Sequence, residues 1–328
     1  LDADEVRQLF DTLRRLRASG MAILFVTHFL DQVYEVCDRI TVLRNGKFVG
    51  EYACAKLDAR GLVAAMVGRE LVNAEKAAAP ASTGPGGAAP VLAARDISRR
   101  GQLKSMDIEL HAGEVLGLAG LLGSGRTELA RLLFALDERD SGDIHLDGHP
   151  TRLQKPSDAL ALGLGFCPED RKHSGIVAEL SVRENIVLAL QARMGLKKFL
   201  KPAEQRALAE KMVAALGVKT ASIETPIGQL SGGNQQKAII ARWLATHPRV
   251  LILDEPTRGI DIAAKQELMN EILQLAQRGT AVLFISAEIE EVVRVSDRIM
   301  VLRDRAKAGE LSRGADEDAV YSMIAGNA

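Results

Sequence analysis

Short apolar runs alternate with amphipathic stretches along most of the chain. Runs dominated by aliphatic residues predict buried strands at 115–119, 164–167, 250–254, 281–285 and 299–302. Between them, the 3.6-residue periodicity of helices occupies 158–163, 202–216, 235–245 and 263–276. Alternation of this kind predicts an α/β fold in which a mainly parallel sheet is covered by helices.

The N-terminal region carries the same kind of pattern. Residues 1–16 predict an amphipathic helix that ends at Gly20, and the apolar run Ala22–Val26 predicts a buried strand. A strand-like run at 40–43 then leads to a turn at Asn45-Gly46. These elements are expected for part of a further α/β unit.

An internal repeat relates the two ends of the chain. A constant shift of 259 positions carries Asp2 onto Asp261 and pairs Asp38-Arg39-Ile40 with Asp297-Arg298-Ile299 without a gap. We therefore predict the C-terminal part of a first domain at 1–74, a flexible linker at 75–90 and a complete second domain at 91–328. The linker is rich in alanine, proline, glycine and serine, a composition that buries too little surface to fix itself. An ordered loop is the alternative.

Composition excludes several classes of protein. The 328 residues carry a formal net charge of −1, which gives no electrostatic footprint for wrapping nucleic acid. No apolar run approaches the roughly 20 residues needed to span a bilayer, so any membrane role is expected to go through a partner. Cys37, Cys54 and Cys167 lie far apart and form neither a metal-binding spacing nor a disulfide framework, which favours a reducing compartment.

A glycine-rich turn, Gly120-Leu-Leu-Gly-Ser-Gly-Arg-Thr127, lies between a predicted strand and a helix-like run. Glycines let successive backbone N–H groups turn inward around an anion, and the helix N-terminus adds the positive end of its dipole. The pattern is that of the phosphate-binding loop G-x4-G-K-[ST], except that Arg126 replaces lysine. Arginine keeps the charge but is planar and bulkier. Taken alone, the turn could equally be a plain tight turn.

Two adjacent carboxylates, Asp254 and Glu255, end the apolar run that begins at Val250. Doubly wound sheets place their sites at such strand ends. Asp254 would hold Mg²⁺ together with the hydroxyl of Thr127. Glu255 would polarise the attacking water as a general base. A solvated acidic strand end is the simpler interpretation, but a phosphate loop upstream in the same domain favours function.

The third motif, Leu230-Ser-Gly-Gly-Asn-Gln-Gln236, directly precedes a helix-like run. Ser231 offers a hydroxyl, while Gly232 and Gly233 offer bare backbone amides at a helix N-terminus. This would be a second anion site, separate from the phosphate loop. Two anion sites serve one nucleotide only if they face each other across an interface.

These motifs give the chain a strong resemblance to the ABC ATPase superfamily, in which nucleotide is sandwiched between one domain's phosphate loop and the other domain's LSGGQ signature. The matching motifs, in agreeing order and spacing, are Gly120–Thr127, Leu230–Gln236, Leu253–Thr257 and Gly259-Ile-Asp261. The narrower resemblance is to the fused two-domain ATP-binding subunits of bacterial ribose, xylose and galactose importers. Their second domains carry segments similar to Pro168-Glu-Asp-Arg-Lys172. The resemblance covers nearly the whole chain apart from the linker.

The resemblance implies a P-loop NTPase fold with a helical subdomain, and the cofactors ATP and Mg²⁺. It makes residues 1–74 the end of one ABC nucleotide-binding domain and residues 91–328 the whole of a second. It implies catalytic roles for Glu255 and His28 and metal contacts for Thr127, Glu169 and Asp254. Nucleotide contacts are implied for Gly120, Gly123, Ser124, Gly125, Arg126, Thr127, Glu128, Ser231, Gly232, Gly233 and Gln235.

Departures from the superfamily pattern separate two composite sites. Glu169 stands where the glutamine of the Q-loop usually lies, so its metal contact would be a charged one. The switch histidine of the first copy is His28, but the 259-residue shift brings Ala287 to that position in the second. A site with Arg126 and no histidine is expected to bind ATP and turn over slowly or not at all. The first site, built on His28, is expected to be the main hydrolytic one.

The adenine contact is a further departure. No Phe, Tyr or Trp occurs between Leu92 and His111, where an aromatic that stacks on adenine would be expected. Arg99 or Arg100 could stack instead. A surface charge pair is the alternative interpretation of both arginines.

The resemblance also implies partners. These are membrane permease subunits, a second nucleotide-binding domain and, indirectly, a periplasmic or extracellular sugar-binding protein, with no nucleic acid. The implied location is peripheral, on the cytoplasmic face of the plasma membrane. Residues 171–200 are candidates for the permease contact, unless they are only the surface of a helical subdomain. The remaining alternatives are a soluble twin-domain ABC ATPase acting on ribosomes or nucleic acid, and a regulatory nucleotide binder.

Overall fold

A computed structural model describes residues 3–26, 30–44, 47–57, 62, 65, 89–195 and 198–325. The chain divides into two compact units, one of residues 1–78 with 261–266 and one of residues 79–260 with 267–328. The predicted linker at 75–90 lies almost entirely outside the described residues, so the domain boundaries drawn from the sequence stay a prediction.

The described part of the first unit contains helices and a hairpin. The elements are α1 (Ala3–Ala18), α2 (Leu30–Val36), β1 (Arg39–Arg44) and β2 (Lys47–Ala53). The two strands pair antiparallel, with a register shift between Val42 and Leu43. Ile40 and Val42 of the hairpin are buried together with Leu62 in a small hydrophobic core.

The strand predicted over Ala22–Val26 is wrong. Residues 21–26 have no regular secondary structure, and Leu24 and Val26 are 91% and 85% exposed. A central strand needs a neighbour on each side to satisfy its backbone N–H and C=O groups. Within the described residues, the run 21–26 pairs with no strand, so its backbone groups gain no ladder hydrogen bonds.

Two sheets organise the second unit. The strands are β3 (Leu92–Arg99), β4 (Leu103–Leu110), β5 (Val115–Gly120), β6 (Ser141–Leu146), β7 (His149–Pro150), β8 (Leu164–Cys167), β9 (Val250–Asp254), β10 (Ala281–Ile285), β11 (Arg298–Arg303) and β12 (Ala306–Ser312). The larger sheet has the order β12-β11-β5-β10-β9-β8 and is parallel except for the β11–β12 hairpin. The smaller sheet, β4-β3-β6-β7, is antiparallel. The predicted α/β fold with a mainly parallel sheet is confirmed.

Helices cover the larger sheet and build the predicted helical subdomain. They are α3 (Arg126–Leu133), α4 (Pro156–Ala161), α5 (Val182–Met194), α6 (Pro202–Ala215), α7 (Gly232–Leu244), α8 (Ile262–Gln277), α9 (Ile289–Val295) and α10 (Glu317–Ala325). Helix α5 packs against α6 and α7. One aliphatic core joins both sheets to α3, and every residue of β5, β9 and β10 is buried. No helix in the described ranges is both long and apolar enough to cross a bilayer.

The order of the larger sheet positions the site. Strands β5, β10, β9 and β8 are parallel neighbours, so their C-terminal ends lie at one edge of the sheet. The glycine-rich turn follows β5, the paired carboxylates follow β9, and Glu169 follows β8. Residues that are far apart in sequence therefore reach the same edge.

Candidate functional site

The glycine-rich turn joins β5 to α3 in a conformation that only glycine adopts freely. Gly123 and Gly125 have φ angles of +77° and +100°. A Cβ added at Gly125 would come within 2.8 Å of Leu103 Cδ1, so a side chain would not fit there. The first three N–H groups of α3 have no acceptor within the helix, and the helix dipole points its positive end at the turn. The turn therefore has the backbone shape and the dipole that suit an anion, and we call it the cradle.

The departure from the lysine pattern has a structural consequence. The guanidinium of Arg126 is buried, and its Nη1 donates to the backbone carbonyl of Ser286 at 2.6 Å. Its Nη2 lies 3.3 Å from Glu255 Oε1. A planar guanidinium can contact two groups at once, which a lysine ammonium does less readily. Arg126 thus links the start of α3 to the ends of β9 and β10.

Asp254 is the most perturbed acid of the site. Its side chain is fully buried, and neither carboxylate oxygen accepts a hydrogen bond of good geometry from the described residues. Burial raises the pKa of Asp254 to about 7. The nearby Thr127 hydroxyl lowers this pKa, and the negative charge of Glu169 raises it further. Buried carboxylate oxygens without partners are costly unless they ligate a cation. The oxygens of Asp254 and Thr127 fit Mg²⁺, which prefers hard oxygen ligands.

Glu255 lies in a strained backbone conformation. Its φ is +49°, and its N–H donates to the carbonyl of Ile285 at 2.9 Å. A left-handed residue other than glycine costs about 1–3 kcal/mol and often marks a functional site. Burial raises the pKa of Glu255, while the backbone N–H of Ala287 and the charge of Arg126 lower it. A raised pKa brings a carboxylate closer to what a general base needs at neutral pH.

Glu169, predicted as a metal contact, is engaged by another side chain. Its carboxylate forms a close ion pair with the guanidinium of Arg258. Sequence reasoning missed Arg258, although this residue directly follows the Asp-Glu-Pro-Thr motif. Within the described ranges, no three His, Cys, Asp or Glu side chains form a ready metal cluster. A metal ion at this edge would therefore depend on phosphate oxygens for the rest of its ligands.

The second glycine motif begins α7. Ser231 lies at the N-cap position, and Gly232 approaches Arg171 so closely that a Cβ would lie 2.9 Å from its Nη2. Gly233 is buried within the first turn. Gln235 is also buried, and its amide donates to backbone carbonyls of the preceding turn, including one at 3.1 Å. The nucleotide contacts predicted here stay predictions.

A buried carboxylate outside the predicted set ties two turns together. Glu291 Oε2 accepts from Thr257 Oγ1 at 2.5 Å and from Ser286 Oγ at 2.9 Å. The turn after β9 is thereby connected to the turn after β10. Nothing in the local sequence pattern distinguishes Glu291 from its neighbour Glu290, so sequence reasoning did not find it.

The predicted switch and stacking residues have different outcomes. His28 lies outside the described residues. Its counterpart Ala287 is exposed and contributes a backbone N–H to Glu255. Arg99 forms an ion pair with Asp137 at 2.8 Å, which fits the surface-pair interpretation.

The arrangement combines a glycine-rich turn, the buried guanidinium of Arg126, the buried Asp254 and the partly buried Glu255 at one sheet edge. Backbone N–H groups and Arg126 can hold a polyphosphate. Asp254 and Thr127 can hold its counter-ion, while Glu255 can accept a proton from water. These are the parts that phosphoryl transfer to water requires.

Comparison with known proteins agrees with this chemistry. Residues 103–258 match the family model described as "ABC transporter". The galactofuranose transporter ATP-binding protein YtfR of Escherichia coli (strain K12) is 49% identical over 95% of this chain and 62% of its own length. The fructose import ATP-binding protein FruK of Bifidobacterium longum (strain NCC 2705) is 46% identical over 95% of this chain and 61% of its own length.

Among solved structures, the dimeric bacterial ABC transporter cassette MJ0796 is similar, with a TM-score of 0.61 and 22% sequence identity. The match covers 69% of this chain and 100% of that one, and this likeness concerns the fold. The chain spans about 62% of the length of the curated relatives that it matches.

Proposed function

We propose that the chain, as a member of the ABC transporter family of ATP-binding proteins, binds ATP and takes part in its hydrolysis. This hydrolysis would power monosaccharide import through a membrane permease. One observation carries the proposal. A glycine cradle at the start of α3 lies at the same sheet edge as two acids of raised pKa, the buried Asp254 and the partly buried Glu255. The sugar class comes from the names of the relatives, which transport galactofuranose, fructose or ribose.

The cradle would hold the triphosphate. Gly120, Gly123, Ser124 and Gly125 would shape it, and the N–H groups of Arg126, Thr127 and Glu128 would donate to phosphate oxygens. Ser124 supports this role, because its buried hydroxyl has no hydrogen-bond partner within the described structure. A phosphate oxygen would provide that partner.

Magnesium would be held by Asp254 and Thr127. When bound, the ion would neutralise part of the phosphate charge. Glu169 is a third candidate ligand, and it would have to leave Arg258 to reach the ion. The two unsatisfied oxygens of Asp254 support the assignment.

Glu255 would accept the proton of the attacking water. The contact with Arg126 favours the charged carboxylate and so weakens it as a base. Arg126 would also have to release Glu255 in order to serve the phosphates. These two effects support slow turnover at the second-domain site.

A complete pair of sites would need two domains. Residues 1–74 contain no glycine-rich turn of the phosphate-binding kind. We propose that the signature Ser231-Gly232-Gly233, with Gln235 behind it, serves a site built on another domain's cradle and His28. The cradle at 120–127 would in turn receive a signature from another domain.

The proposed partners follow from an import role. They are permease subunits and, indirectly, a sugar-binding protein, with this chain peripheral on the cytoplasmic face of the membrane. The surface of residues 171–195 and 198–200, beside Glu169, is the candidate permease contact. Crosslinking to a co-expressed permease should capture it, whereas crosslinks spread evenly over the helical subdomain would count against it.

Steady-state ATPase measurement on the chain tests the assignment of half-sites. We expect negligible turnover from the wild type, because the cradle at 120–127 and the signature at 231–233 belong to different composite sites. Robust turnover that Glu255→Gln abolishes would contradict the assignment. A twin-domain ATPase acting on nucleic acid is less favoured at a net charge of −1. A salt-sensitive gel shift with duplex DNA or RNA would revive it.

A further inference from the structure

The anion cradle has two different flanks. Strands β10 and β9 lie on one side of β5, with Glu255 and Asp254 at their ends. Strand β11 lies on the other side, and it leads into the β11–β12 turn at Asp304-Arg305. A triphosphate with its terminal phosphate at the acids would extend its nucleoside away from them, toward the β11 side.

The β11–β12 turn is strained. Asp304 and Arg305 have φ angles of +50° and +65°. Under the 259-residue shift they correspond to Asn45-Gly46, a pair that suits positive φ angles. The second copy therefore has an arginine where the first has a glycine, at a position where a side chain costs stability. A strained backbone conformation that a glycine would avoid often marks a functional position.

Arg305 is fixed beside the cradle. Its Nη1 donates to the carbonyl of Gly101, and its own carbonyl accepts the N–H of Lys104 at 2.8 Å. The Cα of Arg305 lies 3.5 Å from where a Cβ of Gly125 would be. The guanidinium is thus held over the 101–104 turn, at the border of the phosphate loop, and the residue is exposed.

We propose that the Arg305 guanidinium stacks on the base of the bound nucleotide. The proposal rests on the proposed function, since it requires ATP in the cradle. No aromatic residue lies between positions 92 and 111, and Arg99 is engaged by Asp137. A planar cation stacks on any base, because every base presents a π face. The site is therefore expected to discriminate little between ATP and GTP.

Equilibrium binding of MgATP and of inorganic tripolyphosphate to the chain tests this proposal. Tripolyphosphate fills the cradle but has no base. Arg305→Gly restores the residue of the first copy, and Arg305→Lys keeps the charge without the plane. Arg100→Ala tests the other arginine that could stack, and Arg152→Ala is the matched control, because Arg152 is exposed and no hydrogen bond or ion pair with a described residue holds its guanidinium.

Arg305→Gly should lower the affinity for MgATP about tenfold, the usual scale of one stacking contact. Its affinity for tripolyphosphate should be unchanged, and its thermal stability should be equal or higher. Arg305→Lys should have an intermediate MgATP affinity, and Arg152→Ala should match the wild type. If Arg305→Gly loses affinity for MgATP and for tripolyphosphate equally, Arg305 supports the cradle and the proposal is overturned. Full MgATP affinity in Arg305→Gly, or a loss of MgATP affinity confined to Arg100→Ala, would also overturn it. Failure of the wild type to bind either ligand would instead overturn the proposed function.

Discussion

The two copies of the repeat agree in their local elements and differ in their central strand. Under the 259-residue shift, α1 corresponds to α8 and α2 to α9, with identical bounds. The hairpins β1–β2 and β11–β12 share their register and also the position of their bulge, after Val42 in one and Val301 in the other. The run Ala22–Val26, by contrast, does not match its counterpart, β10.

The difference follows from where each element finds hydrogen-bond partners for its backbone. A helix satisfies its backbone within itself, and a hairpin does so across one short turn. A central parallel strand takes both neighbours from distant sequence. Strand β10 pairs with β5 and β9 and is fully buried. The similar apolar run at 22–26 pairs with no described strand, and its Leu24 and Val26 stay exposed.

The largest expected effect comes from placing a charge in each copy of this run. Leu283 is fully buried and Leu24 is 91% exposed. Leu283→Asp should prevent the second unit from folding, because an unpaired carboxylate would lie in the aliphatic core. Leu24→Asp should leave folding intact. Circular dichroism and denaturation of both variants measure this, and a severe defect in Leu24→Asp would break the comparison.

A milder substitution sharpens the contrast. Phe284 is fully buried, whereas Phe25 is half-buried and contacts the Phe10 ring edge-on at 6.4 Å. Phe284→Ala should lower the free energy of unfolding by about 3–5 kcal/mol. Phe25→Ala should cost about 1 kcal/mol, the scale of one aromatic contact. Urea titration measures both values, and similar losses would indicate that 22–26 packs as a core strand in solution.

Asp254, at the end of β9, should make the stability of the second unit depend on pH. The pKa of Asp254 is about 7 in the folded chain and near 4 when unfolded. Above pH 4 the unfolded chain loses this proton first, so stability should fall as the pH rises from 4 to 7. The loss should be about 4 kcal/mol, since each pKa unit of difference corresponds to about 1.4 kcal/mol. Asp254→Asn should flatten this part of the profile, and an unchanged profile would contradict the burial of a proton-binding Asp254.

The smallest contrast lies in a cross-strand pair found in both hairpins. Arg39–Glu51 and Arg298–Glu310 each join at 2.6 Å, but Arg298 is only 17% exposed and also contacts Glu114 at 2.9 Å. Arg298→Ala should cost about 2 kcal/mol because it takes the guanidinium away from the buried carboxylate of Glu114. Arg39→Ala should cost less than about 0.5 kcal/mol, as exposed pairs do. Equal costs in thermal or urea unfolding would remove the role assigned to burial.

The sequence predicted five of the six strands of the larger sheet, because these are short apolar runs, and it missed the edge strand β12, which is largely polar. It missed β3, where charged residues interrupt the alternation, and α5, which packs on both α6 and α7 and so has no single apolar stripe. The short contiguous motifs located the cradle, Asp254 and Glu255. The contacts of Arg258 and Glu291 join residues 89 and 34 positions apart, and no local pattern encodes such pairings.

The central claim is that the turn at 120–127 holds the triphosphate of ATP, and equilibrium MgATP binding tests it most directly. Gly123 and Gly314 both have positive φ and open space around a built Cβ, so aspartate at either position meets the same backbone strain. Gly123→Asp would place a carboxylate in the cradle and should weaken MgATP about a hundredfold or more by charge repulsion. Gly314→Asp should bind like the wild type. Equal MgATP affinity in the wild type and both variants would contradict the claim.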